Sequence, residues 1–224
     1  AGTSATVSMS NTLTASATAV SINSLTGDFT NSGTIAATAS ANLAVTASSS
    51  VAASSSAEIY VYDSQYVFAL GVDINNMDSG DAENPAVFSN SSALSITAAA
   101  NAVASYNLSA AGPSAYISME TLDQTLSAYG ANIDGGEYAI VNSGTISATA
   151  TGAMTVVASA VGSKNYGEIY LSDVDQYVSA IGLESDGLTL GFDNSGTISA
   201  TATATLTETI SASGVTSATV TIDN

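Results

Sequence analysis

The stretch FDNSGTISATATATLTETISAS, Phe192 to Ser213, decides the fold. From Ile198 onward it alternates. Ile198, Ala200, Ala202, Ala204, Leu206, Ile210 and Ala212 fall on one side, and Thr197, Ser199, Thr201, Thr203, Thr205, Thr207, Thr209 and Ser211 on the other. Successive side chains of a strand face opposite sides of its sheet, so this period predicts β-structure with one apolar and one hydroxyl face. Thr and Ile favour strands, and the abundant Ala lets a second sheet approach closely.

The same stretch recurs along the chain. FTNSGTIAATASANLAVTAS begins at Phe29, VFSNSSALSITAAANAVAS at Val87 and AIVNSGTISATATGAMTVVAS at Ala139. The equivalent asparagines, Asn31, Asn90, Asn142 and Asn194, lie 59, 52 and 52 residues apart, each two residues after Phe29, Phe88, Ile140 or Phe192. Between them runs an unlike half. It opens as AEIYVYD from Ala57, SAYISME from Ser114 or GEIYLSD from Gly167, and continues as QYVFALGV (Gln65–Val72), QTLSAYGA (Gln124–Ala131) or QYVSAIGL (Gln176–Leu183). The acidic, Gly-containing segments Asn75–Asp81, Asn132–Glu137 and Glu184–Gly187 read as turns that close the units. The chain is thus a single array over 1–224, with units at 1–28 (half), 29–85, 86–138, 139–191 and 192–224 (partial).

Two all-β folds accommodate this pattern. A β-solenoid of about four degenerate units, each of ~52–59 residues and two coils, would stack roughly eight or nine coils into a rod about 40 Å long. A β-sandwich would pair the long runs as antiparallel strands. The regular repeat favours the solenoid; the strand length near Ile198 favours the sandwich. The solenoid is the expectation carried forward.

Composition bounds the chemistry. Nineteen acidic residues face one cation, Lys164, with no Arg, His or Cys. Phosphate neutralisation needs Lys and Arg, so nucleic acid is excluded as an expected partner. No apolar run is long enough to span a bilayer, so no membrane insertion is expected. Without His or Cys no Ser-His or Cys-His pair exists, and carboxylates such as Asp173 and Asp175 read as a solvated loop rather than an acid–base pair. No catalytic or cofactor-binding residues are assigned, and the chain reads as a non-enzyme.

The recurring NSGTISATA phrase resembles the passenger repeats of bacterial autotransporters and haemagglutinin-like surface proteins. The resemblance covers Asn31–Ala39, Asn142–Ala150 and Asn194–Ala202, and extends to Asn90–Ala98 in decayed form. It implies a secreted β-solenoid with an adhesive or structural role. The start at AGTSAT, without initiator Met, reads as a processed product, and the low charge and Ser/Thr/Ala richness fit a secreted, extracellular protein on a prokaryotic cell surface.

Four groups of residues are candidates for function. Asp73, Asp78, Asp81 and Glu83 gather carboxylates in one segment, and Ca²⁺ is the cation that hard oxygen ligands suit, although a solubilising acidic turn is the plainer reading. Asn31, Asn90, Asn142 and Asn194 mark a corner, because Asn and Gly tolerate left-handed turns, and would form an amide ladder if stacked. Tyr60, Tyr62, Tyr66 and Tyr170 lie on strands whose two faces are both apolar, as expected of a strand covered on both sides; they would serve in the core, in lateral contact between subunits or on a sugar-binding platform. The near-copies TSATVSMSN (Thr3–Asn11) and TSATVTIDN (Thr216–Asn224) supply Thr3, Ala5, Val7, Thr216, Ala218 and Val220 as an assembly joint. Together these lead to the expectation of a non-catalytic extracellular subunit that polymerises with itself end to end by strand pairing. The alternative is an adhesin fragment recognising a glycan or host surface.

Overall fold

The computed structural model describes residues 4–52, 55–81 and 83–223, and among them every regular element is a strand. In chain order these are β1 (Ala5–Ile22), β2 (Leu25–Thr26), β3 (Phe29–Asn31), β4 (Thr34–Ser50), β5 (Ser56–Asp78), β6 (Ala86–Asn90), β7 (Ser95–Gly112), β8 (Ser114–Asn142), β9 (Thr145–Gly162), β10 (Tyr166–Asn194), β11 (Thr197–Gly214) and β12 (Ser217–Asp223). One sheet runs β1-β5-β8-β10-β12, with β2, β3 and β6 alongside; the other runs β4-β7-β9-β11. All pairings are parallel. The fold is a β-solenoid.

Each sequence unit makes one coil, not two. Ala5 pairs with Ala57, Ala57 with Ala115, Ala115 with Gly167 and Gly167 with Ala218, so one repeat advances the chain by one rung. About four coils at the spacing of hydrogen-bonded strands give a stack about 20 Å tall, half the height expected. The 18 residues of β7, β9 or β11 span about 60 Å, so the coil is broader than the stack is high. This reconciles the strand length near Ile198 with a solenoid: two wide parallel sheets face each other, joined by corners at either side.

The corners explain the miscount. One is the Asn-Ser-Gly motif. The other is the break between β4 and β5, at Pro113, at residues 163–165 and at residues 215–216, held by bonds such as Asn165 N–H to the Pro113 carbonyl at 2.8 Å. Of the acidic, Gly-containing segments, Asn75–Asp81 ends β5 in a turn, but its two equivalents do not end a strand. Asn132–Glu137 and Glu184–Gly187 lie inside the continuous strands β8 and β10, which absorb them as register shifts with Gly135 and Gly187 at positive φ.

Between the sheets the core has three parts. Near the second corner pack Ile59, Val61, Ile117, Met119, Leu108 and Val156. The middle is lined mainly by alanines, among them Ala69, Ala98, Ala100, Ala128, Ala148 and Ala150. At Gly71, Gly130 and Gly182 an added Cβ would meet an isoleucine of the facing sheet and the next rung's backbone or the facing strand's. Beyond this pinch the first sheet bends into a lobe filled by Ile74, Met77, Phe88, Ile133, Tyr138 and Ile140.

Candidate functional site

The inward positions carry two amide ladders of opposite polarity. Asn31 Nδ2 donates to Asn90 Oδ1 at 2.8 Å, Asn90 Nδ2 to Asn142 Oδ1 at 2.8 Å and Asn142 Nδ2 to Asn194 Oδ1 at 2.7 Å. Asn31, Asn90 and Asn142 are buried, so each shared bond satisfies a group that would otherwise be costly to bury. A second ladder went unread in the sequence. Gln176 Nε2 donates to Gln124 Oε1 and Gln124 Nε2 to Gln65 Oε1, both at 2.8 Å, and Gln65 Nε2 ends on the Val103 carbonyl. Its signal was available, since a glutamine recurs at the same offset in all three QY/QT segments.

The glycine of the Asn motif is needed for a different reason from the one expected. Gly33, Gly144 and Gly196 are not among the positive-φ residues. Instead the coils stack so closely here that a Cβ on Gly144 would strike the carbonyls of Ser91 and Leu94, and one on Gly196 the carbonyl of Gly144. The corner itself is closed by Ser143 and Gly144 N–H donating to the Asn90 carbonyl, and Ser195 and Gly196 N–H to that of Asn142.

The acidic candidates are dispersed. Asp73 lies on β5, where it accepts from Asn132 Nδ2 at 3.1 Å. Asp78 accepts from Gly80 N–H, and Asp81 from Glu83 N–H and Asn84 Nδ2. Those bonds, led by the one from Asn84, hold the Asp81 carboxyl below the usual range. Among the described residues no three acidic side chains converge as a cation site. Asp78 and Asp81 serve the segment's own turn, while Asp73 bonds to the next coil.

Of the three readings of the tyrosines, their placement removes the core and leaves lateral contact and a sugar platform open. Tyr60, Tyr62, Tyr66 and Tyr170 project from the outer face of the first sheet, not between sheets, and Tyr66 is 42% exposed beside Phe68 at 37%. The apolar outer positions of these strands are therefore uncovered. Tyr60 packs at a tilt against Tyr116 with centroids 5.7 Å apart, and Phe68 likewise against Tyr129 at 5.8 Å. Burial and the neighbouring Glu58 push the Tyr60 hydroxyl up in pKa.

The terminal strands occupy opposite edges of the first sheet. Thr3 lies outside the described residues. Ala5 and Val7 point inward from β1, Thr216 N–H donates to the Asn165 carbonyl at 2.8 Å, and Ala218 and Val220 lie on β12. Ala218 sits on Gly167 as Ala5 sits on Ala57, so the two segments hold equivalent half-rungs. Beyond Ser172 the outer edge of β10 carries no strand, and the whole outer edge of β11 is open among the described residues. There the inward residues Ala200, Ala202 and Ala204, with Leu206 at 38% and Phe192 at 50%, are exposed.

Sequence reasoning missed two inward carboxylates. Asp63 is 1% exposed; one oxygen accepts from Asn11 N–H and Nδ2 at 2.8 Å, and the other has no partner among the described residues. Burial raises its pKa, the Asn11 bonds offsetting part of the rise. Glu208 falls on the apolar side of β11, with Oε1 likewise unpartnered. No family of known proteins, curated protein or solved structure matches the chain.

Proposed function

We propose that the protein is a non-catalytic extracellular structural subunit that assembles end to end with itself, by adding the first coil of one copy to the last coil of the next. The observation that carries this reading is the continuity of the inward columns through every coil, a pattern that one more coil of the same sequence would extend. The asparagine ladder, the Phe29-Phe88-Ile140-Phe192 column and the alanine rows all reach β10 and β11 in unbroken register. Parallel strand addition there would continue the ladder from Asn194 to Asn31, place Leu43 on Leu206, and cover exposed apolar surface with backbone hydrogen bonds. The large excess of carboxylates would keep such filaments apart laterally and make bundling sensitive to salt.

In this joint β12 of one copy and residues 4–11 of the next claim the same half-rung, so one of them gives way. Electron microscopy of the purified chain tests the reading: unbranched filaments with an axial subunit repeat of about 20 Å are expected. Ala202→Lys with Leu206→Lys, which set charge on the open columns, should leave folded monomers. Removing Thr216–Asn224 should lower the concentration at which filaments appear. Monomers at every concentration, or filaments indifferent to the lysines, would sink the proposal.

A further inference from the structure

Two depressions on the outer face of the first sheet share one wall. One, of about 250 Å³, is lined by Phe68, Leu70, Tyr129, Asn132 and Glu184. The other, of about 210 Å³, has Tyr66 and Phe68 with the hydroxyl residues Thr14, Ser16, Thr125 and Ser127 around it. Phe68 belongs to both, so together they form one elongated surface that crosses β1, β5, β8 and β10.

Its chemistry is mixed in a specific way. The aromatic part is apolar and partly wet, with the Phe68 and Tyr129 rings tilted 45° to each other, which gives it walls in more than one plane. Around it stand short hydroxyls that both donate and accept, and Asn132, whose Nδ2 is engaged by Asp73 while its oxygen stays available as an acceptor. Glu184 adds an acceptor at one end. A ligand matching this surface has flat C–H faces to lay on rings and many hydroxyls at its rim, and it extends over more than one ring unit. That is the description of a pyranose chain. Charge narrows the class. The chain carries −18 and Glu184 lies in the groove, so anionic sugars are repelled.

We propose that the groove between Tyr66, Phe68 and Tyr129 binds a neutral oligosaccharide of at least two pyranose units, with rings stacked on Phe68 and Tyr129 and hydroxyls bonded to Asn132, Glu184 and the Thr/Ser row. The groove reaches β1 and β10, the strands that the proposed joint would pair, but it lies on the outer face while the joint is built on the inward columns, so binding to the monomer tests it separately from assembly. Its affinity is weak for one chain, because the groove is shallow, and would be multiplied where copies are arrayed.

The test is titration of the full chain with cellohexaose, chitohexaose and maltohexaose, followed by calorimetry and by the NMR signals of the tyrosine rings. Saturable binding of at least one is expected, with shifts at Tyr66 and Tyr129 and none at Tyr170. Phe68→Ala and Tyr129→Ala should each weaken it by about tenfold or more, and Tyr170→Ala should not. Because truncating a ring can disturb the sheet, Ser127→Tyr provides a second route: it fills the groove while keeping both rings, and should abolish binding with an unchanged circular dichroism spectrum. Absence of saturable binding to all three sugars up to millimolar concentrations would overturn the proposal. So would binding that survives these variants, or tetramethylammonium or polygalacturonate occupying the groove more tightly than any neutral sugar.

Discussion

Asn90 donates its side-chain amide to Asn142 across 2.8 Å, and both residues are fully buried. Asn142 therefore holds two bonds of the ladder at once, one accepted from Asn90 and one donated to Asn194. Asn142→Ala would strand a buried donor on Asn90 and is expected to cost about 2–3 kcal/mol in urea unfolding. Asn194→Ala, at the exposed end of the same ladder, should cost well under half of that. Equal losses at the two positions would mean that the ladder bonds themselves contribute little.

Asp63 sets a pH dependence. Its pKa in the folded chain is raised by burial, so folding favours the protonated carboxyl. The resulting stabilisation is fully present below the ordinary value of 3.8 and is lost as pH rises through the folded pKa. Asp63→Asn removes the charge and keeps an oxygen for Asn11. The variant should gain about 1 kcal/mol over the parent at pH 7, and the gain should vanish below the ordinary carboxylate pKa. A variant whose advantage is the same at acid and neutral pH would show that the charge is not the cause.

One motif yields two opposite outcomes for the same substitution. A Cβ on Gly33, in the first coil, meets nothing within 4 Å, whereas one on Gly144 would strike two carbonyls of the preceding coil. Gly33→Ala should leave the thermal midpoint within a few degrees of the parent. Gly144→Ala should destabilise by about 2–3 kcal/mol, as overpacking does. Tolerance of both would mean that the carbonyls of Ser91 and Leu94 leave room for a methyl group at this corner.

These contrasts mark what could be read from the chain. The asparagine ladder was legible because a polar residue recurs at one register with apolar neighbours, a pattern that only stacking reconciles with burial. The number of coils was not. Gly-rich acidic segments have the composition of turns, yet Gly135 and Gly187 only bulge a strand that runs on to the next asparagine. The true second corner shows less: Pro113 in one coil and Lys164 with its neighbours in another share no motif. The tyrosines carried three readings, core, lateral contact and sugar platform, because single-chain periodicity cannot distinguish a covered face from an exposed aromatic one. Asp63 escaped notice because a lone carboxylate reads as solvated by default, although its position alternates inward with Ile59 and Val61.

Glu208 gives the proposed joint its sharpest test. Its unpartnered oxygen lies on the inward side of β11, in the column Val45-Tyr106-Val156-Glu208. Continuing the register of the chain into a second copy places the incoming Val45 over this carboxylate and Leu13 over Gln176. Both contacts bury a polar group against hydrocarbon, and the carboxylate dominates because an unpaired charge costs far more than an amide. Glu208→Leu is therefore expected to lower the critical concentration for filament formation at neutral pH by about tenfold or more, as read by light scattering. Glu184→Leu, on the outer face, removes the same charge without touching the column and should leave it within about twofold. A shared effect would assign the change to net charge; an effect of Glu208 alone would place the joint on the open edge of β11.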